Sequence, residues 1–281
     1  MKDCIIIGCG PAGVSAGLYL KRANKDVLCL YSGMSSLEDA NLIQNYYGFP
    51  NGISGKELYS NGIEQAKNIG IEVKNEEVVH IEKNDCFKVK TNVGEYESKS
   101  LILAIGNKKV KPSIEGLKEF EGKGVSYCAI CDGFFFRDKS VVVIGEGNFA
   151  ISEAEILRNV TNNVKILTNG NQIKEKTDFE VIEKKIARIS GNDKVENIEF
   201  EDGTKIDVSG VFVALGEAGA FDFAKSLGIL VDGQNIKVDE NLKTNIDGLY
   251  AVGNSNGGLL QVSKAVHDGA VAGLDVVKYL N

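Results

Sequence analysis

No run in this sequence approaches the roughly 20 consecutive apolar residues that a helix needs to cross a bilayer. The first eight residues contain a short apolar run, but Asp3 precedes it and no small-residue cleavage pattern follows. They therefore predict a buried strand rather than a signal peptide. Both absences favour a cytoplasmic protein.

Proline is scarce, with 3 residues against 32 glycines, which indicates tight turns that approach a ligand rather than a proline-stiffened linker protein. The 32 basic side chains are outnumbered by 39 acidic ones, for a net charge of −7, so a global nucleic-acid-binding surface is not expected. Apolar residues are 43% and charged residues 25%, ordinary values that exclude disorder. The length of 281 residues predicts two domains of about 150 residues each.

Cysteine and histidine are too scattered for a disulfide scaffold. The six cysteines lie at positions 4, 9, 29, 86, 128 and 131, and the two histidines, His80 and His267, are far apart in sequence. A zinc site would need a second Cys-x-x-Cys or a histidine pair beside the first one. Only half of such a site is present, so no metal is predicted.

The pair Cys128 and Cys131 is the one close spacing of thiols in the chain. Two thiols with this spacing at a helix start can close a disulfide, and the helix N-terminus lowers the pKa of the attacking thiol. The adjacent Asp132 offers a proton donor and acceptor for thiolate chemistry. Its alternative role is that of a helix cap.

The sequence overlays on itself when it is shifted by 137 residues. Residues 4–13 match residues 141–150, and a helix pattern and a second strand pattern follow both in step. Each half therefore predicts a strand, a glycine-rich turn, a helix and a strand. The predicted fold class is α/β, with two Rossmann-like three-layer domains of common ancestry.

The second of these domains is predicted to be an insertion in the first. A buried strand at 101–106 is followed by a polar crossover at 107–112, and a return crossover is expected near 241–244. A further buried strand and a long amphipathic helix pattern, 260–280, complete the first domain. The predicted boundaries are 1–108 with 244–281 for the first domain, and 109–243 for the second.

The first glycine turn has the G-x-G-x-x-G spacing, formed by Gly8, Gly10 and Gly13. This turn lets the backbone approach a pyrophosphate, which lies on the positive N-terminus of the next helix. Pro11 and Ala12 suit the helix start and its close packing. A dinucleotide site is predicted here, with a purely structural turn as the alternative.

The second glycine turn, residues 145–150, keeps the spacing but places Glu146 where an anion would lie. The paired strand ends in residues 168–170, Thr-Asn-Gly, which supply neither an acid for a ribose hydroxyl nor arginines for a 2′-phosphate. The nearest bases are Lys174 and Lys176. A retained fold with a lost nucleotide site is the favoured interpretation.

Taken in order, five motifs resemble those of the low-molecular-weight thioredoxin reductase family of flavoproteins, over nearly the whole chain. They are GCGPAG at 8–13, QNYYGFP at 44–50, AIG at 104–106, CAICDGFF at 128–135 and GLYAVGN at 248–254.

This resemblance implies a discontinuous FAD domain with an inserted pyridine-nucleotide-type domain that carries a redox disulfide. It implies that Cys131 faces the flavin, that Cys128 attacks the disulfide of thioredoxin, and that Asp132 is the acid and base. It also implies a homodimer. The implied FAD contacts are Gly8, Gly10, Pro11, Ala12, Gly13, Ser32, Gly33, Asn45, Ala104, Ile105, Gly106, Gly253, Asn254 and Gln261.

The sequence departs from the family at its nucleotide site. Members that use NADPH carry a His-Arg-Arg-x-x-x-Arg signature where this chain has residues 168–170, and an Arg-Gln pair near the flavin becomes Leu260 and Gln261. Asn254 replaces a common aspartate. The chain most resembles the subset that lacks NADPH motifs and takes electrons from ferredoxin, so ferredoxin is the expected donor.

Three other functions stay open at the level of sequence. The first is an NAD(P)H-dependent reductase with an unusual nucleotide site, and the second is a dithiol oxidase that uses oxygen. The third is a flavin-binding regulator without activity. An acidic ferredoxin would need a local basic patch, for which 108–111 and 21–25 are the clusters, with ordinary solvated lysines as the alternative.

Overall fold

The structure is a computed structural model, and it describes residues 1–33, 35–38, 40–106, 113–173, 175–233 and 235–281. The chain divides into two compact units. One comprises residues 1–108 and 219–281, and the other comprises residues 109–218.

The elements follow one another in chain order. The first segment of the first unit contains β1 (Lys2–Ile7), α1 (Pro11–Arg22), β2 (Val27–Tyr31), α2 (Gly55–Asn68), β3 (Glu72–Asn75), β4 (Val78–Lys83), β5 (Phe87–Thr91) and β6 (Glu95–Leu103). The second unit contains β7 (Val125–Ser126), α3 (Ala129–Asp132), a 3-10 turn (Gly133–Phe136), β8 (Val141–Ile144), α4 (Asn148–Arg158), β9 (Val164–Leu167), β10 (Glu180–Ile182), β11 (Ile186–Ser190), β12 (Asn197–Phe200), β13 (Lys205–Asp207) and β14 (Gly210–Val213). The first unit ends with α5 (Ala220–Leu227), β15 (Val231–Asp232), β16 (Asn235–Ile236), β17 (Leu249–Ala251), a 3-10 turn (Gly253–Asn256) and α6 (Val262–Tyr279).

The first unit is built on one sheet with the strand order β3-β2-β1-β6-β5-β4, to which β17 adds beside β6. Strands β3, β2, β1, β6 and β17 run parallel, and β4 and β5 extend the sheet as antiparallel strands. The apolar runs of β1 and β2 are buried because helices cover a parallel sheet. Helix α6 packs on α1 so closely that a Cβ at Gly269 would lie 2.1 Å from the carbonyl oxygen of Ala12.

The second unit repeats this plan on a smaller scale. Its parallel sheet has the order β10-β9-β8-β14-β7. A three-stranded antiparallel sheet, β11-β12-β13, is formed by the residues between β10 and β14. Strand β8, its glycine turn, α4 and β9 correspond to β1, its turn, α1 and β2. The predicted α/β fold with two Rossmann-like sheets is confirmed.

The structure places the return of the chain at 218–219 and not at 241–244 as the sequence indicated, so the predicted second domain, 109–243, extends too far. Residues 241–244 belong to the first unit, where Lys243 forms an antiparallel bridge with Tyr250 and the backbone N–H of Thr244 donates a hydrogen bond to the carbonyl oxygen of Leu249. Leu242, at φ 67°, packs on the core of that unit and accepts a hydrogen bond from the backbone N–H of Ala251. The first crossover, 107–112, lies outside the described residues.

In the described part of the chain, no helix combines the length and apolar character that crossing a membrane requires.

Candidate active site

The first glycine turn follows β1, and two of its glycines are required by close backbone packing. A Cβ at Gly8, whose φ is 107°, would lie 2.4 Å from the carbonyl oxygen of Ala104. A Cβ at Gly13 would lie 1.8 Å from the carbonyl oxygen of Gly8. Any side chain at either position would displace the turn from the sheet edge.

Gly10 differs, because the space in front of it is open. It is the N-cap of the twelve-residue helix α1, and no side chain caps that end. The nearest atom to a Cβ at Gly10 is the hydroxyl oxygen of Ser35, at 4.0 Å. The first turn of α1 also carries no acid, so its positive end and free N–H groups suit a phosphate. The turn therefore fits a dinucleotide pyrophosphate.

Two distant segments predicted from the sequence lie beside this turn. The backbone N–H of Gly106 donates a 3.2 Å hydrogen bond to the hydroxyl of Ser255, which ties residues 104–106 to the 3-10 turn after β17. A Cβ at Gly253 would lie 3.0 Å from the Cβ of Ala12. A Cβ built at Gly106 would lie 3.9 Å from the Cβ of Asn254.

An ion pair that was not predicted from the sequence holds this 3-10 turn. The buried carboxylate of Asp268 accepts a 3.0 Å hydrogen bond from the backbone N–H of Gly253 and pairs with the Lys264 ammonium at 2.7 Å. Lys264 also donates to the carbonyl oxygens of Gly253 and Gly257, each at 2.7 Å, and to the amide oxygen of Asn256. The i,i+4 spacing of a lysine and an aspartate directly after a glycine-rich turn was the available signal.

Asn45 and Gln261 also meet. The amide nitrogen of Asn45 donates a 2.8 Å hydrogen bond to the amide oxygen of Gln261, across 216 residues of sequence. The side chain of Leu260 beside them is exposed. Ser32 and Gly33 directly follow β2, at the same carboxyl edge of the sheet as the glycine turn. The predicted cofactor residues of the first unit therefore gather at the edge where open α/β sheets bind their ligands.

Cys128 and Cys131 are joined by a disulfide, with 5.4 Å between their Cα atoms. Cys128 is the N-cap of α3, and its sulfur accepts a hydrogen bond of 3.2 Å from the backbone N–H of Cys131. Cys128 is only 5% exposed, whereas Cys131 is exposed. In this conformation the outer sulfur belongs to Cys131.

The carboxylate of Asp132 is directed back toward this pair. Ser126 donates a 2.6 Å hydrogen bond to Asp132, and its hydroxyl oxygen accepts the backbone N–H of Cys128 at 3.1 Å. No capping hydrogen bond forms from the Asp132 side chain to the 3-10 turn that follows it, so the alternative role of a cap is not realised. A second acid that the sequence analysis missed, the buried Glu153 of α4, accepts the backbone N–H of Ala129 at 2.7 Å.

The second glycine turn keeps the close backbone packing of the first turn, but it contains an acid that is unfavourable for binding a phosphate. A Cβ at Gly145 would lie 2.1 Å from the carbonyl oxygen of Ala214, while Glu146 places a carboxylate in the turn. At the end of β9 the side-chain oxygen of Asn169 accepts the backbone N–H of Ile186 at 2.9 Å.

The bases near this edge are few in the part of the chain that the structure describes. The side chain of Lys185 lies beside Gly170, with 3.3 Å between its Cβ and a Cβ built on the glycine. Its ammonium pairs with Glu201 at 2.7 Å. Lys176 is exposed, and Lys174 lies outside the described residues.

Of the two basic clusters, 108–111 also lies outside the described residues. In the other cluster, Lys21 and Arg22 occupy the last turn of α1, where cations are favoured by the helix dipole. Lys25 donates a 2.7 Å hydrogen bond to the side chain of Asn281.

The two Rossmann-like sheets and the Cys128–Cys131 disulfide are the features of a disulfide oxidoreductase. Residues 2–269 match the family model of the pyridine nucleotide-disulphide oxidoreductases. Among curated relatives, the thioredoxin reductase of Aquifex aeolicus (strain VF5) is 35% identical over 272 residues, covering 89% of this chain and 84% of that protein. That of Bacillus subtilis (strain 168) is 32% identical over 300 residues, covering 99% and 94%.

Solved structures similar to this chain are also thioredoxin reductases. An atypical thioredoxin reductase from Desulfovibrio vulgaris Hildenborough has 35% identity and a TM-score of 0.96, covering 100% of this chain and 98% of that one. A ferredoxin-flavin thioredoxin reductase from Clostridium acetobutylicum has 33% identity and a TM-score of 0.75, covering 99% and 97%. The chain belongs to the low-molecular-weight thioredoxin reductase family.

Members of this family are FAD-binding flavoproteins, and FAD is the cofactor of this chain. The chain is a flavin-dependent disulfide oxidoreductase of the thioredoxin reductase type, and thioredoxin is the substrate partner of thioredoxin reductases.

Proposed function

We propose that this protein reduces thioredoxin with electrons from reduced ferredoxin, and that it does not use NADPH. The observation that carries the choice of donor is the second glycine turn. Its fold is retained, but Glu146 puts an acid in the loop that would otherwise hold a pyrophosphate. The edge of β9 offers neutral side chains at 168–170, where an adenosine 2′-phosphate would need arginines.

In this scheme the first unit holds FAD. Gly8, Gly10 and Gly13, with Pro11 and Ala12, take the pyrophosphate at the open N-terminus of α1. The remaining contacts in the proposal are Ser32, Gly33, Asn45, Ala104, Ile105, Gly106, Gly253, Asn254 and Gln261. When bound, FAD supplies the ability to accept electrons singly from an iron–sulfur protein and to deliver two to a disulfide.

The thiol chemistry falls to Cys128, Cys131 and Asp132. After reduction, the thiolate of Cys128 attacks a sulfur of the thioredoxin disulfide, and Cys131 then attacks the resulting mixed disulfide. The hydrogen bond from the Cys131 backbone N–H stabilises negative charge on the Cys128 sulfur. Asp132, oriented by Ser126, holds and returns the proton at the leaving sulfur. Because Cys128 is 5% exposed, its sulfur must become more accessible before this attack.

Thioredoxin would dock on the apolar surface formed by Ile130, Phe134 and Phe135. Phe134 is 67% exposed and Phe135 is 68% exposed, and both lie within four residues of Cys131 in sequence. Exposed aromatic side chains of this size are unfavourable in water and are enriched at the centres of protein interfaces. A partner that brings its own disulfide to Cys128 would cover them.

A homodimer and a cytoplasmic location complete the proposal. The homodimer rests on the family resemblance and is tested by the mass of the purified protein in solution. The location is supported by the thiols of Cys4, Cys9, Cys29 and Cys86, which are free cysteines, since unpaired thiols persist in reducing compartments.

The deciding experiment is an anaerobic series of flavin spectra. Reduced ferredoxin should bleach the flavin and support the reduction of thioredoxin, whereas equal concentrations of NADPH or NADH should do neither. Rapid bleaching by micromolar NADPH would overturn the choice of donor. Peroxide formation from a small dithiol, without any reduction of thioredoxin, would identify a dithiol oxidase instead.

A further inference from the structure

Two cysteines outside the redox disulfide lie in close contact. The thiol of Cys9 donates a hydrogen bond to the sulfur of Cys29, and the two sulfurs are 2.7 Å apart. A disulfide bond is about 2.05 Å long, and unbonded heavy atoms pack at about 3.5–4.0 Å. The two sulfurs are therefore close enough to bond after a small movement of the side chains.

Their position connects this pair to the cofactor site. Cys9 lies between Gly8 and Gly10 of the first glycine turn, and Cys29 lies in β2. Both side chains are buried, at 2% and 1% exposure, in the core cluster of the first unit. A bond between them would close a loop between residues that are 20 positions apart in sequence, and this loop contains Gly10, Gly13 and the whole of α1.

We propose that Cys9 and Cys29 form a second disulfide when the protein is exposed to a peroxide, and that this bond fastens the FAD-binding turn to β2. One thiol first reacts with hydrogen peroxide to give a sulfenic acid and water. The second thiol attacks that sulfur, and a second water leaves as the S–S bond forms. Two electrons pass from the pair of sulfurs to the two peroxide oxygens, so the step is balanced.

The environment of the Cys9 and Cys29 thiols makes their oxidation slow and keeps them out of the catalytic cycle of the enzyme. The hydrogen bond that Cys29 forms with Cys9, together with the burial of Cys29, raises the pKa of the Cys29 thiol well above its ordinary value. Thiolates are the reactive form, so oxidation should take hours rather than seconds. A protein thiol cannot contact sulfurs this deeply buried, so thioredoxin should not reduce the bond. The pair is a modification site and takes no part in the transfer of electrons.

The bond should stabilise the first unit, because a cross-link across a loop of this length restricts the unfolded chain. The midpoint of thermal unfolding of the oxidised protein should rise by several degrees, on the order of 5 °C. Release of FAD should slow as well, because the turn that holds the pyrophosphate can no longer open away from β2.

The test is a map of disulfides in the FAD-loaded protein. Trypsin leaves Cys9 in residues 3–21 and Cys29 in residues 26–56. Cys4 lies in the same peptide as Cys9, so the Cys4→Ala variant makes the assignment unambiguous. The protein is fully reduced, treated with hydrogen peroxide and alkylated. We expect a linked pair of peptides, 3–21 with 26–56, that the Cys29→Ser variant lacks.

The recovery of the Cys128–Cys131 disulfide in the same sample shows that oxidation took place. If that disulfide is complete while Cys9 and Cys29 remain open to alkylation after denaturation, the proposal is wrong. A link between Cys4 and Cys29, found by fragmentation of the wild-type peptides, would also overturn it. If the Cys4→Ala variant folds poorly, fragmentation of the linked peptides from the wild type still shows whether Cys4 or Cys9 is bonded to Cys29. Neither thioredoxin nor a donor is needed, so this result is independent of the proposed function.

Discussion

The hydroxyl of Ser126 donates a hydrogen bond of 2.6 Å to the carboxylate of Asp132, six residues later in the chain. The same hydroxyl oxygen accepts the backbone N–H of Cys128, so one small side chain connects the acid to the first sulfur of the disulfide. Ser126 belongs to β7, an edge strand of the second sheet. The orientation of Asp132 is thereby fixed by the sheet and not by the short helix that carries it.

This relationship predicts graded losses of thioredoxin reduction. Asp132→Asn should lower kcat roughly 100-fold or more, because it removes the acid and base. Ser126→Ala should lower kcat about 10-fold or more, since a hydrogen bond to a charged group contributes about 1.5–3 kcal/mol. Ser126→Thr, which keeps the hydroxyl, should recover most of the activity, and the pH profile of Ser126→Ala should shift.

Ser190→Ala, which removes a hydroxyl bonded to Asn197 in the same unit, is the control. An unchanged pH profile would reduce Ser126 to a packing role.

The roles of the two cysteines can be separated by trapping. With Cys131→Ser, Cys128 can attack thioredoxin but nothing resolves the product, so a mixed disulfide should accumulate and be visible on non-reducing gels. With Cys128→Ser, much less of it should form. The reverse pattern would assign the attack to Cys131, which is the more exposed of the two. FAD should stay bound in both variants.

The aromatic docking surface predicts a change in KM that depends on the size of the substrate. Phe134→Ala combined with Phe135→Ala should raise the KM for thioredoxin about 10-fold or more, because each aromatic removed from an interface centre costs about 1–2 kcal/mol. Reduction of a small aromatic disulfide should be unaffected. Val93→Ala alters a comparably exposed apolar side chain, 72% exposed and in the first unit, and should change neither value. Equal losses with both substrates would place the two phenylalanines in the chemistry rather than in docking.

The ion pair of Lys264 and Asp268 predicts a specific loss of FAD affinity. Asp268→Ala leaves the Lys264 ammonium without its carboxylate and the Gly253 N–H without its acceptor. The dissociation constant for FAD, measured by fluorescence on the apoprotein, should rise about 10-fold or more. Lys278→Ala removes a surface lysine, 3.9 Å from Asp275, and should leave FAD affinity unchanged. An affinity unchanged by Asp268→Ala would show that the turn forms without the pair.

Asp275 predicts how stability depends on pH. Burial alone would raise the pKa of its carboxyl, but hydrogen bonds from Lys243 and Tyr250 outweigh burial and hold that pKa below its ordinary value. A lowered pKa in the folded state stabilises the protein above the ordinary pKa of about 4, and the effect is lost as the pH falls below it. Asp275→Asn should therefore reduce the free energy of unfolding by about 2 kcal/mol at pH 7. The difference from the wild type should shrink between pH 5 and pH 3 in urea unfolding curves. A constant difference would mean that the carboxylate charge contributes nothing.

Much of the site was predictable because its determinants are local in sequence. The spacing of Gly8, Gly10 and Gly13 after an apolar run predicts a turn that only glycine allows, and the structure shows the clashes that enforce it. The repeat at a shift of 137 residues predicted the second Rossmann-like unit. The two-residue gap between Cys128 and Cys131 is enough to close a disulfide on one helical turn.

The chain itself therefore indicated the two strand-helix-strand units, the glycine turn and the close pair of sulfurs, since the sequence pattern that indicates each one is local. Tertiary structure decided which distant partners meet. Asn45 reaches Gln261, Asp268 holds the turn at Gly253, and Cys9 contacts Cys29, although nothing in the spacing of these residues indicates a partner. The end of the second unit at 218 was decided in the same way, because the residues after it satisfy their backbone and apolar groups within the first unit.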